Sequence, residues 1–139
     1  MKEGLLKAGI QTTFPEENIR RWGCYFLSLL KWVQVKTGEG FTTERILFLR
    51  NEFVKLGFMR ADCFILNPIA ILNYFPKMPR FRMEQLPRTA NKPIQITFIS
   101  FLTSGQAGHF VLSHKGKVWD SYGLPSLNDW TLNSHRVFV

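Results

Sequence analysis

Cys24 follows a glycine and opens the apolar run Tyr25-Phe26-Leu27-Ser28-Leu29-Leu30, which reads as the first turns of a helix. Far downstream, Gly108-His109-Phe110-Val111-Leu112 begins a strand-like run, and Asp120 follows a Lys115-Gly116-Lys117 turn. A thiol at a helix N-terminus, a histidine on a strand and a carboxylate on the partner strand are the parts of a cysteine-nucleophile hydrolase. The nucleophile in such chemistry is the thiolate, and a free cysteine ionises only near about pH 8.5. Amide groups and the dipole at a helix N-terminus favour the anion. A histidine beside it can hold the thiol proton, and a carboxylate on the other ring nitrogen fixes the tautomer.

Those three side chains need rigid mounts, and the pattern supplies them. Ile19, Trp22, Tyr25, Phe26, Leu29, Leu30, Trp32 and Val33 recur at steps of three and four, the signature of a wide, buried helical face. Gly23 precedes its most apolar part, so the regular helix is expected from Cys24, and Thr37-Gly38-Glu39-Gly40 ends it. Thr42-Thr43-Glu44 caps a second helix carrying Ile46, Leu47, Leu49, Phe53, Val54 and Leu56, with Gly57 as its stop. Asn67-Pro68 starts a third over Ile69 to Tyr74, while Phe58 to Leu66 fits an extended segment or a short helix. Before the central helix, the first residues read as a short strand or arm broken by Gln11-Thr12-Thr13-Phe14-Pro15, and Pro15 suits a turn or first helical turn.

The second half changes period. Pro93 to Leu102 alternates and is rich in β-branched and aromatic residues, as strands are. His109 to Ser113 and Lys117 to Tyr122 form a hairpin across His114-Lys115-Gly116, and a regular two-residue loop there brings His109 and Asp120 together on one face. Thr103 to Gly108 is a loop, Ser121 to Pro125 a turn and Arg136 to Val139 a last strand. Helices followed by antiparallel strands predict an α+β domain.

The chain of 139 residues predicts one domain, 1–139, with a core large enough to fold unaided. It has no apolar run long enough to span a bilayer and no signal-peptide pattern at its start, so residence in the cytoplasm is expected. Two cysteines, Cys24 and Cys63, match no zinc spacing and predict free thiols, with Cys63 as a small buried hydrophobe. No metal site, P-loop, dinucleotide fingerprint or G-x-S-x-G motif occurs, so neither a metal nor a cofactor is expected. A net charge of +8 favours anionic partners. The densest basic stretch holds Lys77, Arg80, Arg82, Arg88 and Lys92 among four prolines and reads as a loop, either solvated or facing phosphate or substrate. His114 and His135 read as surface residues.

Trp22-Gly23-Cys24-Tyr25-Phe26-Leu27-Ser28 resembles the G-x-C-W-x-F-S nucleophile motif of papain-like cysteine peptidases, keeping the cysteine, the following aromatic, a hydrophobe and the serine in register. His109-Phe110-Val111-Leu112 is similar to the H-F-V-V-L strand of the bacteriocin-processing members, in which an aspartate follows on the next strand, as Asp120 does here. The W-G-C-Y-F string is also similar to an uncharacterised group of short spirochaete and phage proteins. The resemblance implies a papain-like α+β core, with N-terminal helices, the nucleophile on a central helix, and a C-terminal antiparallel sheet packed against them.

It further implies a peptide or protein substrate cleaved at a peptide or other amide bond. Cys24 would be the nucleophile, His109 the base and then acid, and Asp120 its orienter. The family stabilises the oxyanion with a glutamine shortly before the cysteine, where this chain carries Asn18. Asn18, Gln11 further upstream and the Cys24 amide alone are the candidate donors. Trp22, Tyr25 and Trp119 are the candidate substrate-contacting aromatics. Two other functions fit the same residues: a papain-like domain without turnover that binds a host protein, and a basic module binding nucleic acid through the Lys77 to Lys92 loop.

Overall fold

Apolar side chains at helical spacing in the first half and alternating residues in the second build an α+β structure in the computed structural model. It describes residues 6, 9–76, 83–87, 94–101, 109–114, 117–121 and 130–138. A 3-10 turn over Ile10–Thr13 leads into α1 (Glu17–Trp22), α2 (Cys24–Thr37), α3 (Thr43–Lys55) and α4 (Pro68–Asn73). Five strands follow, β1 (Met83–Pro87), β2 (Ile94–Phe101), β3 (His109–His114), β4 (Lys117–Trp119) and β5 (Trp130–Phe138). They form one antiparallel sheet in the order β1-β5-β2-β3-β4. No helix among the described residues is long and apolar enough to cross a membrane.

Helix α2 is the centre of the core. Phe26, Leu27, Leu29, Leu30, Trp32 and Val33 are completely buried, so it is apolar nearly all round, as a helix enclosed on several sides must be. Ile46, Leu49 and Phe53 of α3, Ile71 and Leu72 of α4, and Ile96 and Leu112 of the sheet join it in one hydrophobic cluster. The helix ends follow local chemistry. Gly38 closes α2 in the left-handed region at φ 73°. The Thr42 hydroxyl accepts from the Arg45 amide, and the Asn67 side chain accepts from the Ala70 amide, capping α3 and α4.

Gly23 is where the chain turns from α1 into α2, and it is glycine for lack of room. A Cβ there would stand 2.6 Å from the Ile19 carbonyl oxygen. The close approach lets the Gly23 amide donate to that carbonyl, which sets the angle at which α2 leaves and hence where Cys24 points.

Four expectations need correction. Gln11 to Thr13 lie within a 3-10 turn rather than merely breaking an arm, because their backbone bonds onto a later segment (below). Phe58 to Leu66 is neither strand nor helix but a compact loop closed by a bridge between Met59 and Ile65. The basic stretch is not all loop: Met83–Pro87 is a strand pairing with β5, and proline is tolerated because β1 is the sheet's edge. The last strand begins at Trp130 rather than Arg136; polar Asn133-Ser134-His135 hides an interior strand from an alternation test. Lys77, Arg80, Arg82, Arg88 and Lys92, and the Thr103 to Gly108 loop, lie outside the described residues.

Replacing Gly23 by alanine is expected to destabilise the fold by about 2 kcal/mol, the usual cost of forcing an extra methyl against a packed backbone. Urea unfolding of the variant checks it, and an unchanged midpoint would contradict the steric account.

Candidate functional site

Three elements converge on Cys24. It is the first residue of α2, half-buried just before the sealed stretch from Phe26 to Leu30. The next residue, Tyr25, stacks its ring on Phe110 of β3, with centroids 4.2 Å apart and planes 11° from parallel. Offset aromatic stacking of this kind has a narrow geometry. Because Tyr25 adjoins Cys24 and Phe110 adjoins His109, the stack fixes the start of α2 against the start of β3. That places Cys24 next to the His109 ring, close enough for its sulfur to favour the charged imidazole.

The hairpin supplies the third member. Pairing of His114 with Lys117, Ser113 with Val118 and Leu112 with Trp119 sets a register in which Asp120 follows directly on the last residue of β4. His109 Nε2 lies 2.6 Å from Asp120 Oδ1, both side chains almost wholly buried. With Nε2 held by the carboxylate, Nδ1 is the nitrogen left for the Cys24 sulfur. Cys24, His109 and Asp120 are thus neighbours in the fold, His109 and Asp120 directly bonded.

Burial by itself disfavours a charged imidazole. Here it is outweighed by the hydrogen bonds from Asp120 and Cys24 and by the negative charge each can carry, and the His109 pKa rises from 6.5 to about 9. At neutral pH the ring is accordingly imidazolium. Such a ring stabilises a thiolate next to it and already holds a proton it can donate. Cys63 is the contrast: burial pushes its thiol up to about 11 against the opposing pull of Arg50, so it stays protonated. Both cysteines are free.

Asp120 is held from behind by a segment far away in sequence. Its carbonyl accepts from the Gly9 amide at 3.0 Å, and the Ser121 carbonyl accepts from the Gln11 amide at 2.8 Å. The Ser121 hydroxyl donates to Gln11 Oε1 at 2.6 Å, and Gln11 Nε2 donates to the Arg20 carbonyl at 3.1 Å. The fully enclosed Gln11 thus links the acid-bearing segment to α1, the helix that leads into Cys24. An amide nitrogen carries two donor protons, one of them engaged by Arg20. Asn18 sits half-buried on α1, and among the described residues no hydrogen bond joins it to Cys24, His109 or Asp120.

The three candidate aromatics take different positions. Trp22 is 49% exposed at the end of α1, with the Arg21 guanidinium over its ring. Tyr25 is engaged by Phe110. Trp119 is partly buried, donating its ring N–H to the Leu6 carbonyl at 3.1 Å. Sequence reasoning missed Ser121 and Phe110 as supports of the site, since both act through partners remote in the chain. Among the described residues no three His, Cys, Asp or Glu side chains gather as metal ligands.

A raised histidine pKa carries a definite sign. The stability His109 contributes as a cation is fully present below about pH 6.5 and is lost as pH rises through about 9. The ring resonances of His109 are expected to titrate near 9 by NMR and to move down in Asp120→Asn; a midpoint near 6.5 in the unaltered protein would contradict the pairing.

A family model described as "Protein of unknown function, DUF261" matches residues 10–139, and the chain belongs to that family. No curated protein and no solved structure matches it.

Proposed function

We propose that this member of DUF261 is a cysteine-nucleophile hydrolase with a papain-like core, acting on a peptide or other amide bond. The observation that carries the reading is the buried His109–Asp120 pair, 2.6 Å apart, beside a cysteine at a helix N-terminus. A buried Asp-His pair is costly to desolvate. A thiol beside it, able to leave its proton on the ring, is what a nucleophile needs and a purely structural pair does not.

In this reading the Cys24 thiolate attacks the amide carbonyl carbon, forming the S–C bond while the carbonyl π electrons move to oxygen. The backbone amide of Cys24, with Gln11 or Asn18 as the second candidate donor, stabilises that oxyanion. Collapse re-forms the carbonyl and breaks the C–N bond, and the His109 imidazolium gives its proton to the leaving amine. Neutral His109 then takes a proton from water as water adds to the thioester. The acid product leaves, and the thiolate beside imidazolium is restored. Asp120 stays ionised throughout and keeps the ring oriented. Because the acid is the imidazolium, the rate falls as pH rises through about 9.

The same fold without turnover, serving as a binding domain for a host protein or nucleic acid, is the second reading. It is favoured by the engagement of Gln11 with Arg20 and Ser121. One experiment separates the two. Iodoacetamide labelling of the folded protein below pH 7 is expected at Cys24 much faster than at Cys63, and His109→Ala should slow it by at least about tenfold. Cys24→Ala should lower cleavage of a fluorogenic peptide library by about a thousandfold or more without lowering the melting temperature. Labelling no faster than Cys63 and indifferent to His109 would leave only the binding reading.

A further inference from the structure

A cavity of about 280 Å³ opens beside the site, lined by Lys31 and Val35 of α2, Leu112 of β3, and Lys117, Val118 and Trp119 of β4. Its chemistry is one-sided. Two ammonium groups, a tryptophan face and three aliphatic side chains line it, and among the described residues no carboxylate does.

Lys31 is the unusual member. It is half-buried, with Nζ donating to the Leu6 carbonyl at 3.2 Å and to Gln34 Oε1 at 3.0 Å, and it stands 5.6 Å from the centre of the Trp119 ring. All of these partners are neutral, so its charge has no carboxylate among them. Burial accordingly lowers its pKa. Lys117, by contrast, is exposed at the mouth, and Val118 beside it is 52% exposed.

The cavity is placed for a substrate. Lys31 lies on α2 seven positions after Cys24, about 10 Å along the helix axis at 1.5 Å per residue. An extended peptide advances about 3.3 Å per residue, so a side chain in the cavity belongs to a residue roughly three positions from the bond at Cys24. At its other end Trp119 adjoins Asp120, and β4 is the outermost strand of the sheet. Cavity and site therefore share both of their walls.

We infer that this cavity is a specificity subsite for an acidic side chain of an extended peptide substrate, about three residues from the scissile bond, held between the ammonium groups of Lys31 and Lys117 with its methylenes against Trp119. The inference rests on the hydrolase reading for its position relative to the bond. Its anion preference rests on the cavity alone. Charge-assisted hydrogen bonds to a carboxylate are roughly twice as strong as neutral ones, so glutamate is favoured over glutamine of the same shape.

The test uses the full chain carrying Cys24→Ala, so that nothing is cleaved, and two fluorescein-labelled peptides that differ only in a central Glu-Glu-Glu or Gln-Gln-Gln. Fluorescence anisotropy is expected to show the glutamate peptide binding about tenfold more tightly or better. Lys117→Glu, at an exposed position, and Lys31→Gln, which keeps a donor toward Leu6, should each remove that preference. Lys55→Glu on α3 carries the same charge change as Lys117→Glu outside the cavity and should keep it. Equal binding of the two peptides, binding of neither, or loss of preference in Lys55→Glu as large as in Lys117→Glu would overturn the inference. Iodoacetamide labelling of the unaltered chain below pH 7 should be much faster at Cys24 than at Cys63. Failure of the subsite thus shows in the anisotropy, and failure of the hydrolase reading shows in the labelling.

Discussion

A carboxylate and an imidazole buried side by side are stable only as a pair. Removing either from water alone costs several kcal/mol, and removing one partner from a formed pair leaves that penalty uncompensated. The 2.6 Å contact between His109 and Asp120 is thus a constraint on the whole molecule. The hairpin register must deliver Asp120 at the end of β4, and β3 must start beside the beginning of α2. The apolar core then closes around both, with Val111 and Leu112 buried on either side of the strand.

What holds the pair in register comes mostly from outside the hairpin. The residues before α1 bond to Asp120 and Ser121 through backbone groups, Trp119 reaches the Leu6 carbonyl, and Leu6 in turn donates to Gln34 of α2 at 3.0 Å. Lys31 donates to the Leu6 carbonyl and to Gln34 Oε1 at the same point. The N-terminal segment therefore runs as a strap between α2 and the strand end that carries Asp120. Gln11 closes the loop by joining Ser121 to α1. Rigid placement of this kind is what a reacting site needs, because its groups must already lie close to the productive geometry before substrate arrives.

The parts of this arrangement that sequence exposes are the local ones. The N-terminus of α2, the glycine stops and the Thr42 and Asn67 caps depend on neighbours within a turn, and residue type alone reveals them. The His109 to Asp120 hairpin is likewise set by a short loop and a period-two pattern. The strap is invisible for the opposite reason. Gln11 and Ser121 meet across most of the chain, and nothing in Gln-Thr-Thr marks a residue that will be sealed inside. Strand β5 escaped because its polar residues lie in the interior of the sheet, where pairing on both edges rather than an apolar face fixes it. Strand β1 escaped because proline-flanked basic sequence ordinarily reads as loop, a rule that edge strands break.

The two cysteines show how far residue type is from reactivity. Cys63 is enclosed, backbone-strained at φ 68°, and surrounded by the paired Arg50 and Glu16, whose charges largely cancel at its sulfur. Desolvation then decides, and the thiol is kept neutral. Cys24 opens a helix whose next turn, Phe26 to Leu30, is fully buried, and the His109 ring beside it is backed by a carboxylate. At neutral pH the ring is imidazolium, and the Asp120 carboxylate behind it supplies the opposite charge. A cationic ring is unfavourable in an apolar interior without such a partner. The carboxylate therefore determines that the ring can be buried as a cation.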